Sequence, residues 1–281
     1  AANVMDVDVL KVPTREDRKL HGEDVAREID ALHSAGTSRV FAVVGTAGTT
    51  NLGIVDDLDG IAEAAHILNI WFHVDGAYGL AALCAPSARA MFKGVEKADS
   101  FIVDPHKWLF APFDACALVY KNPELARETH TQHATYLETL HDGSWNPSDY
   151  AIHLTRRVRG LPFWFSLAAR GTDAYSEAME ATMTVAKQAA DLIKKHPNLE
   201  LLYEPELSIV AFTRPGWSST QYQQWSDKLL ADQIGFCFLC FPQRLHLLPV
   251  AFSTIPGGSL FPLHTLHEYS KTCLFLLAML R

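Results

Sequence analysis

Apolar positions along the first half of the chain switch repeatedly between helical spacing and short unbroken runs. Val25, Ile29 and Leu32 recur at helical spacing and Ala35-Gly36 ends the run, so residues 23–34 are predicted to be a helix. Arg39 to Val44 is short, apolar and β-branched, which predicts a buried strand. The loop Gly45-Thr46-Ala47-Gly48-Thr49-Thr50-Asn51 follows, and Asp56 or Asp57 can then cap a helix with Leu58, Ile61, Ala65 and Leu68 on one face. Ile70–Val74, Ser100–Val103 and Ala115–Tyr120 complete the series of predicted strands.

Alternation of strands and helices implies an α/β fold with a mostly parallel sheet and helices on both faces. Ligands in such sheets sit outside the carboxyl ends of the strands. Thr46, Asp75 and Lys107 each follow a strand at that edge. Residues 129–148 lack a sustained period and read as a long surface loop. Beyond it, Ala174 to His196 reads as a long helix stopped by Pro197. Strands near 199–203 and 208–212, a helix near 219–233 and apolar segments near 236–241 and 245–252 suggest a smaller α+β unit. The pattern divides the chain into a large domain over 1–168 and a small one over 169–281.

Composition narrows the classes. The chain has 281 residues, 48% apolar and 20% charged, enough for one sizeable core or two smaller ones. A net charge of −8 without a basic run argues against a nucleic-acid surface. The five cysteines, mostly within apolar stretches, suit a reducing cytoplasm. The longest apolar run, Cys273 to Leu280, is too short to cross a bilayer. The start Ala1-Ala2-Asn3, with no initiator methionine, suits a processed chain or a piece of a longer one.

Chemistry concentrates in two stretches. His73-Val74-Asp75-Gly76-Ala77-Tyr78-Gly79 is followed by Asp104-Pro105-His106-Lys107-Trp108, which places Lys107 32 residues after Asp75. A lysine just past one buried strand and an aspartate just past another are what pyridoxal 5′-phosphate requires. The amine holds the aldehyde carbon as a Schiff base, and the carboxylate keeps the ring nitrogen protonated. The flanking Ile102-Val103 and Trp108 predict that Lys107 is half-buried.

Together the two stretches resemble the group II pyridoxal-phosphate decarboxylases, which include the aromatic-amino-acid, histidine and glutamate decarboxylases of the aspartate aminotransferase fold (fold type I). The resemblance runs from the first residues to about Phe165. It implies decarboxylation of an L-amino acid to the amine and CO2 in a cytoplasmic homodimer, with the site at the subunit interface. Lys107 is then the Schiff-base lysine, and Asp75 stabilises the quinonoid left by decarboxylation. Ala77 lies against a ring face, His106 near the phosphate or imine, and Thr46 near the cofactor and the substrate carboxylate. Tyr136 matches a mobile-loop tyrosine that returns a proton to the substrate carbon. Tyrosine there favours a simple decarboxylase over an aldehyde-forming relative. The sequences around Asp75 and Tyr136 resemble the aromatic subgroup most.

Other residues carry weaker signals. Asp104 stands where the family often has asparagine, and a carboxylate beside a phosphate is repulsive, so it is left out of the cofactor set. His73 is expected to pack beneath Asp75 and orient it. Arg156, Arg157 and Arg159 resemble a basic cluster that pairs with acidic groups, the competing reading being a solvated basic face. Cys237, Cys240, His264 and His267 lack finger-like spacing, so no metal is expected. Relatives are longer, and their upstream part supplies the phosphate-cupping turn, the ring-stacking residue and a dimer-clasping segment. The chain is therefore expected to begin partway through such a protein. Its region after Gly235, with Arg244, departs from the family pattern. The rival readings are an aldehyde synthase or other fold type I lyase, and an inactive structural or dimerisation segment.

Overall fold

The computed structural model describes residues 2–36, 39–132, 145–232 and 248–251. After a short helix α1 (Ala2–Met5), helix α2 (Gly22–Ser34) opens with Glu23 and Asp24 in its first turn, where acidic groups suit the helix dipole. Its buried Val25 and Ile29 lie on the face that the sequence period marked. Helix α3 (Leu58–Leu68) starts at Asp57, whose carboxylate accepts the Gly60 N–H at 3.1 Å, and ends at Asn69 in a left-handed conformation.

The main sheet has the order β1 (Ala42–Thr46), β2 (Trp71–Asp75), β3 (Ser100–Val103) and β4 (Ala117–Tyr120). The first three strands are parallel and β4 is antiparallel to β3. β1 begins later and ends later than the apolar run predicted, because its pairing with β2 runs from Ala42 opposite Trp71 to Thr46 opposite Asp75.

Side chains alternate across this sheet. Phe72 and Val74 point into the core with Leu58 and Ile61 of α3, and a side chain at Gly45 would meet those same helix residues. The expected helical cover on both faces is not what the described residues form. Helix α2 packs on α3 rather than on the strands, so the opposite face carries exposed Val44 (53%) and Leu118 along with Asp75.

Helix α4 (Pro123–His130) takes up the first residues of the segment read as a loop, and Pro147–Tyr150 forms a short 3-10 turn. The long helix α5 (Gly160–Lys195) breaks at Gly171, whose φ of 78° and ψ of 162° are not helical. Tyr175, Met179 and Met183 of α5 join the main core, whereas Ala186, Ala190 and Ile193 pack on a second sheet. That sheet is antiparallel, ordered β5 (Glu200–Tyr203), β6 (Ile209–Thr213) and β7 (Leu248–Ala251). Helix α6 (Ser219–Ala231), started by a Ser218–Gln221 capping box, covers it with Tyr222 and Leu229.

Candidate functional site

Two loops meet at the carboxyl edge of β2 and β3. Gly76 N donates to Ile102 O at 3.1 Å, and Asp104 N donates to Ala77 O at 3.0 Å. These bonds hold the Asp75–Ala77 turn against the segment that carries Lys107. Asp75 is exposed, with Oδ1 accepting from Ala77 N at 3.2 Å. Thr46 stands opposite Asp75 across β1 and β2, and Ala47 N donates to Asp75 O at 2.8 Å. Thr46, Asp75, Ala77 and Lys107 thus lie along one sheet edge.

Lys107 lies at the boundary between core and solvent: its side chain is 44% exposed, while the following Trp108 and Leu109 turn into the core. Its Nζ pairs with Asp104 Oδ2 at 2.9 Å. Asp104 accordingly serves the amine, which is a role the sequence did not suggest for it. Burial, and then Asp104 itself, pushes the neighbouring Cys116 thiol up to about 11.

His106 lies beside this pair, half-buried, with its ring edge-on to Phe113. Its Nδ1 is bonded to the carbonyl of Ala115. A carbonyl only accepts, so Nδ1 carries the proton and Nε2 is the nitrogen left to act on a ligand. His73 lies on the same face of β2 as Asp75, and its Nδ1 bonds Ser100 Oγ at 2.8 Å rather than the carboxylate. Arg157 and Arg159 pair with Asp114 at 2.6 and 3.2 Å, and Arg156 donates to the Pro147 carbonyl, so two of the three share one acidic partner. Tyr136, Cys237, Cys240, Arg244, His264 and His267 lie outside the described residues.

Three positioning features escaped the sequence reading. Asp56 is buried and accepts from Leu20 N at 2.8 Å and Thr46 N at 2.7 Å, which fixes the end of β1. Burial raises its pKa above the ordinary carboxylate value, opposed by these two donors. Tyr78 stacks on Trp108 with ring centroids 5.0 Å apart, and its hydroxyl meets Ser208 Oγ at 2.5 Å. Trp108 Nε1 donates to Thr182 Oγ1 at 3.1 Å. The residue after Lys107 is thereby tied to α5, and Tyr78 to the segment that leads into β6. The sequence marks only Asp56 among these, and as a cap candidate alongside Asp57, which is the residue that caps α3.

A family model described as the pyridoxal-dependent decarboxylase conserved domain matches residues 1–214. The chain is 31% identical over 207 residues to the aromatic-L-amino-acid decarboxylase of Bacillus atrophaeus, an alignment covering 73% of the chain and 43% of that protein. It is 34% identical over 208 residues to the acidic amino acid decarboxylase GADL1 of Xenopus tropicalis, covering 73% and 40%. The chain thus spans less than half the length of these two relatives. Its fold is similar to that of Oryza sativa TDC solved with PLP and tryptamine, with a TM-score of 0.82 at 22% identity over 98% of the chain and 60% of that structure. Mouse CSAD gives 0.81 at 24% identity over 98% and 60%. The likeness to these solved structures identifies the architecture as fold type I.

Proposed function

Because the chain belongs to the pyridoxal-dependent decarboxylase family, we propose that its sheet edge supplies part of a pyridoxal 5′-phosphate site used to decarboxylate an L-amino acid. The observation that carries this reading is the joining of the Asp75 and Lys107 loops by the Asp104–Ala77 hydrogen bond, which leaves an exposed carboxylate and an exposed amine on one rim. These groups fit the cofactor: an amine for its aldehyde, a carboxylate for its ring nitrogen, and a small Ala77 beside that carboxylate.

When bound, the cofactor supplies the electrophilic aldehyde and the electron-accepting ring. Lys107 offers the amine, and Asp104 holds that amine in place before it reacts. Asp75 holds a proton at the ring nitrogen through a charge-assisted contact of about 1.5–3 kcal/mol. Thr46 would lie near the substrate carboxylate, and His106, with Nδ1 engaged by the Ala115 carbonyl, would offer Nε2 to the cofactor. Tyr136 returns the proton to the substrate carbon. An aromatic amino acid is the proposed substrate, supported by the sequences around Asp75 and Tyr136.

We also propose a homodimer, supported by exposed Leu161, Trp164 and Phe165 at the start of α5, and a cytoplasmic location, supported by the free thiols of Cys84 and Cys116. Turnover of the full-length polypeptide with aromatic amino acids tests the reading. The expected products are the amine and CO2; aldehyde with ammonia and peroxide would replace it with an aldehyde synthase. Asp75→Asn is expected to lower kcat by roughly 10²-fold or more, the scale for losing one preorganised electrostatic contact.

A further inference from the structure

The sheet face that carries Asp75 also carries three hydrogen-bonded side chains that the proposed cofactor contacts do not use. Trp71 Nε1 donates to Ser100 Oγ at 2.9 Å, and Ser100 Oγ lies 2.8 Å from His73 Nδ1. His73 pairs with Ser100 across β2 and β3, while Asp75 follows on the same face of β2. Ser100 is 4% exposed, so its hydroxyl must find its partners inside the protein.

Donor counting fixes the tautomer. An indole N–H only donates, so Ser100 Oγ accepts from Trp71. The hydroxyl has one proton of its own, and the acceptor beside it is His73 Nδ1. A proton on Nδ1 would instead make His73 a second donor to Oγ and leave the buried Ser100 O–H without an acceptor. The His73 proton therefore resides on Nε2, and a ring that accepts at Nδ1 is neutral. Burial favours the neutral state, lowering the His73 pKa from its ordinary 6.5 against the opposing pulls of Asp75 and of a hydrogen bond with the Ser100 backbone.

Neutrality at this position has a consequence for Asp75. An imidazolium two residues along the strand would attract the carboxylate and weaken its hold on a protonated ring nitrogen. The other elements in register with His73 add no cation: β1 places Val44 opposite it, and β4 places Tyr120 opposite Ser100. Burial keeps the Tyr120 phenol protonated.

We infer that Trp71, Ser100 and His73 form a relay that holds His73 as the neutral Nε2–H imidazole, leaving the Asp75 charge to the cofactor ring. Ser100 and His73 are then positioning residues for the site. The inference rests on the role proposed for Asp75, and its test separates the two. Full-length polypeptide labelled with 15N-histidine is examined by long-range 1H–15N NMR, with and without pyridoxal 5′-phosphate. The His73 signal is assigned by its loss in His73→Gln.

The expected wild-type pattern is the Nε2–H tautomer near neutral pH in the cofactor-free protein. Ser100→Ala should give mixed tautomers, an upward shift of the His73 pKa and cofactor binding that weakens several-fold on mild acidification, whereas Ser100→Thr restores the wild-type pattern. An Nδ1–H or charged His73 in the wild type, or an unchanged tautomer and binding profile in Ser100→Ala, would overturn the relay. A correct tautomer in a protein that binds no cofactor would overturn the positioning role along with that of Asp75, and leave the hydrogen-bond chain itself standing.

Discussion

Asp56 and Asp57 are adjacent, yet their carboxylates act in different places. Asp57 accepts from Gly60 N and starts α3, whereas Asp56 turns inward to the N–H groups of Leu20 and Thr46. An asparagine at 56 has one acceptor for those two donors and sets an NH2 against one of them. Asp56→Asn should therefore cost about 1–3 kcal/mol, read as a lower urea midpoint. Asp57→Ala should cost about 1 kcal/mol, as for loss of a helix cap. His73 gives a pH dependence of known sign. Because burial lowers its folded pKa, the unfolded chain takes up the proton first as pH falls past the ordinary 6.5, and stability declines from there. His73→Gln should flatten that part of the decline in urea midpoints measured from about pH 7 to about pH 5. Lys107 shows what residue patterns hide: its apolar neighbours were legible, but not that its amine would pair with Asp104 three residues earlier.

At the scale of elements, the runs that alternate between helix and strand spacing were legible because one sheet face is buried. Phe72 and Val74 are the inward members of β2, and Val25 and Ile29 those of α2. The direction of β4 was not legible, since four residues of strand carry no mark of parallel or antiparallel pairing. Nor was the tie between Tyr78 and Ser208, which joins residues 130 positions apart. The rim also depends on a close approach of two backbones. A Cβ added at Gly79 would lie 2.2 Å from the carbonyl oxygen of Ala47, the residue just past the end of β1. Gly79→Ala should shift this contact and lower stability by about 1–3 kcal/mol in the same urea assay, the usual scale of overpacking.

For the whole molecule, the unmatched feature is apolar surface. Trp164 (58% exposed) and Phe165 (59% exposed) stand on the first half of α5 with exposed Leu161, and Val158 precedes them. A cluster of this kind marks an interaction surface more often than it marks isolated exposure. If it belongs to the proposed dimer, the double substitution Trp164→Glu and Phe165→Glu should convert the full-length protein to monomer in sedimentation velocity. An unchanged dimer would move the interface elsewhere. The two stretches around Asp75 and Lys107 were enough to suggest the family in the sequence, because each residue type there has a chemical reason for its place. What they do not display is the Asp104–Lys107 pair, set by the local turn after β3, or the relay through Ser100, which arises from strand register. The central claim is that Lys107 is the amine that bonds the cofactor. Borohydride reduction of the full-length protein with pyridoxal 5′-phosphate, followed by peptide mass spectrometry, tests it directly. The account predicts the cofactor fixed to the Lys107 peptide and absent from Lys107→Ala; reduction onto another lysine, or no fixation at saturating cofactor, would contradict it.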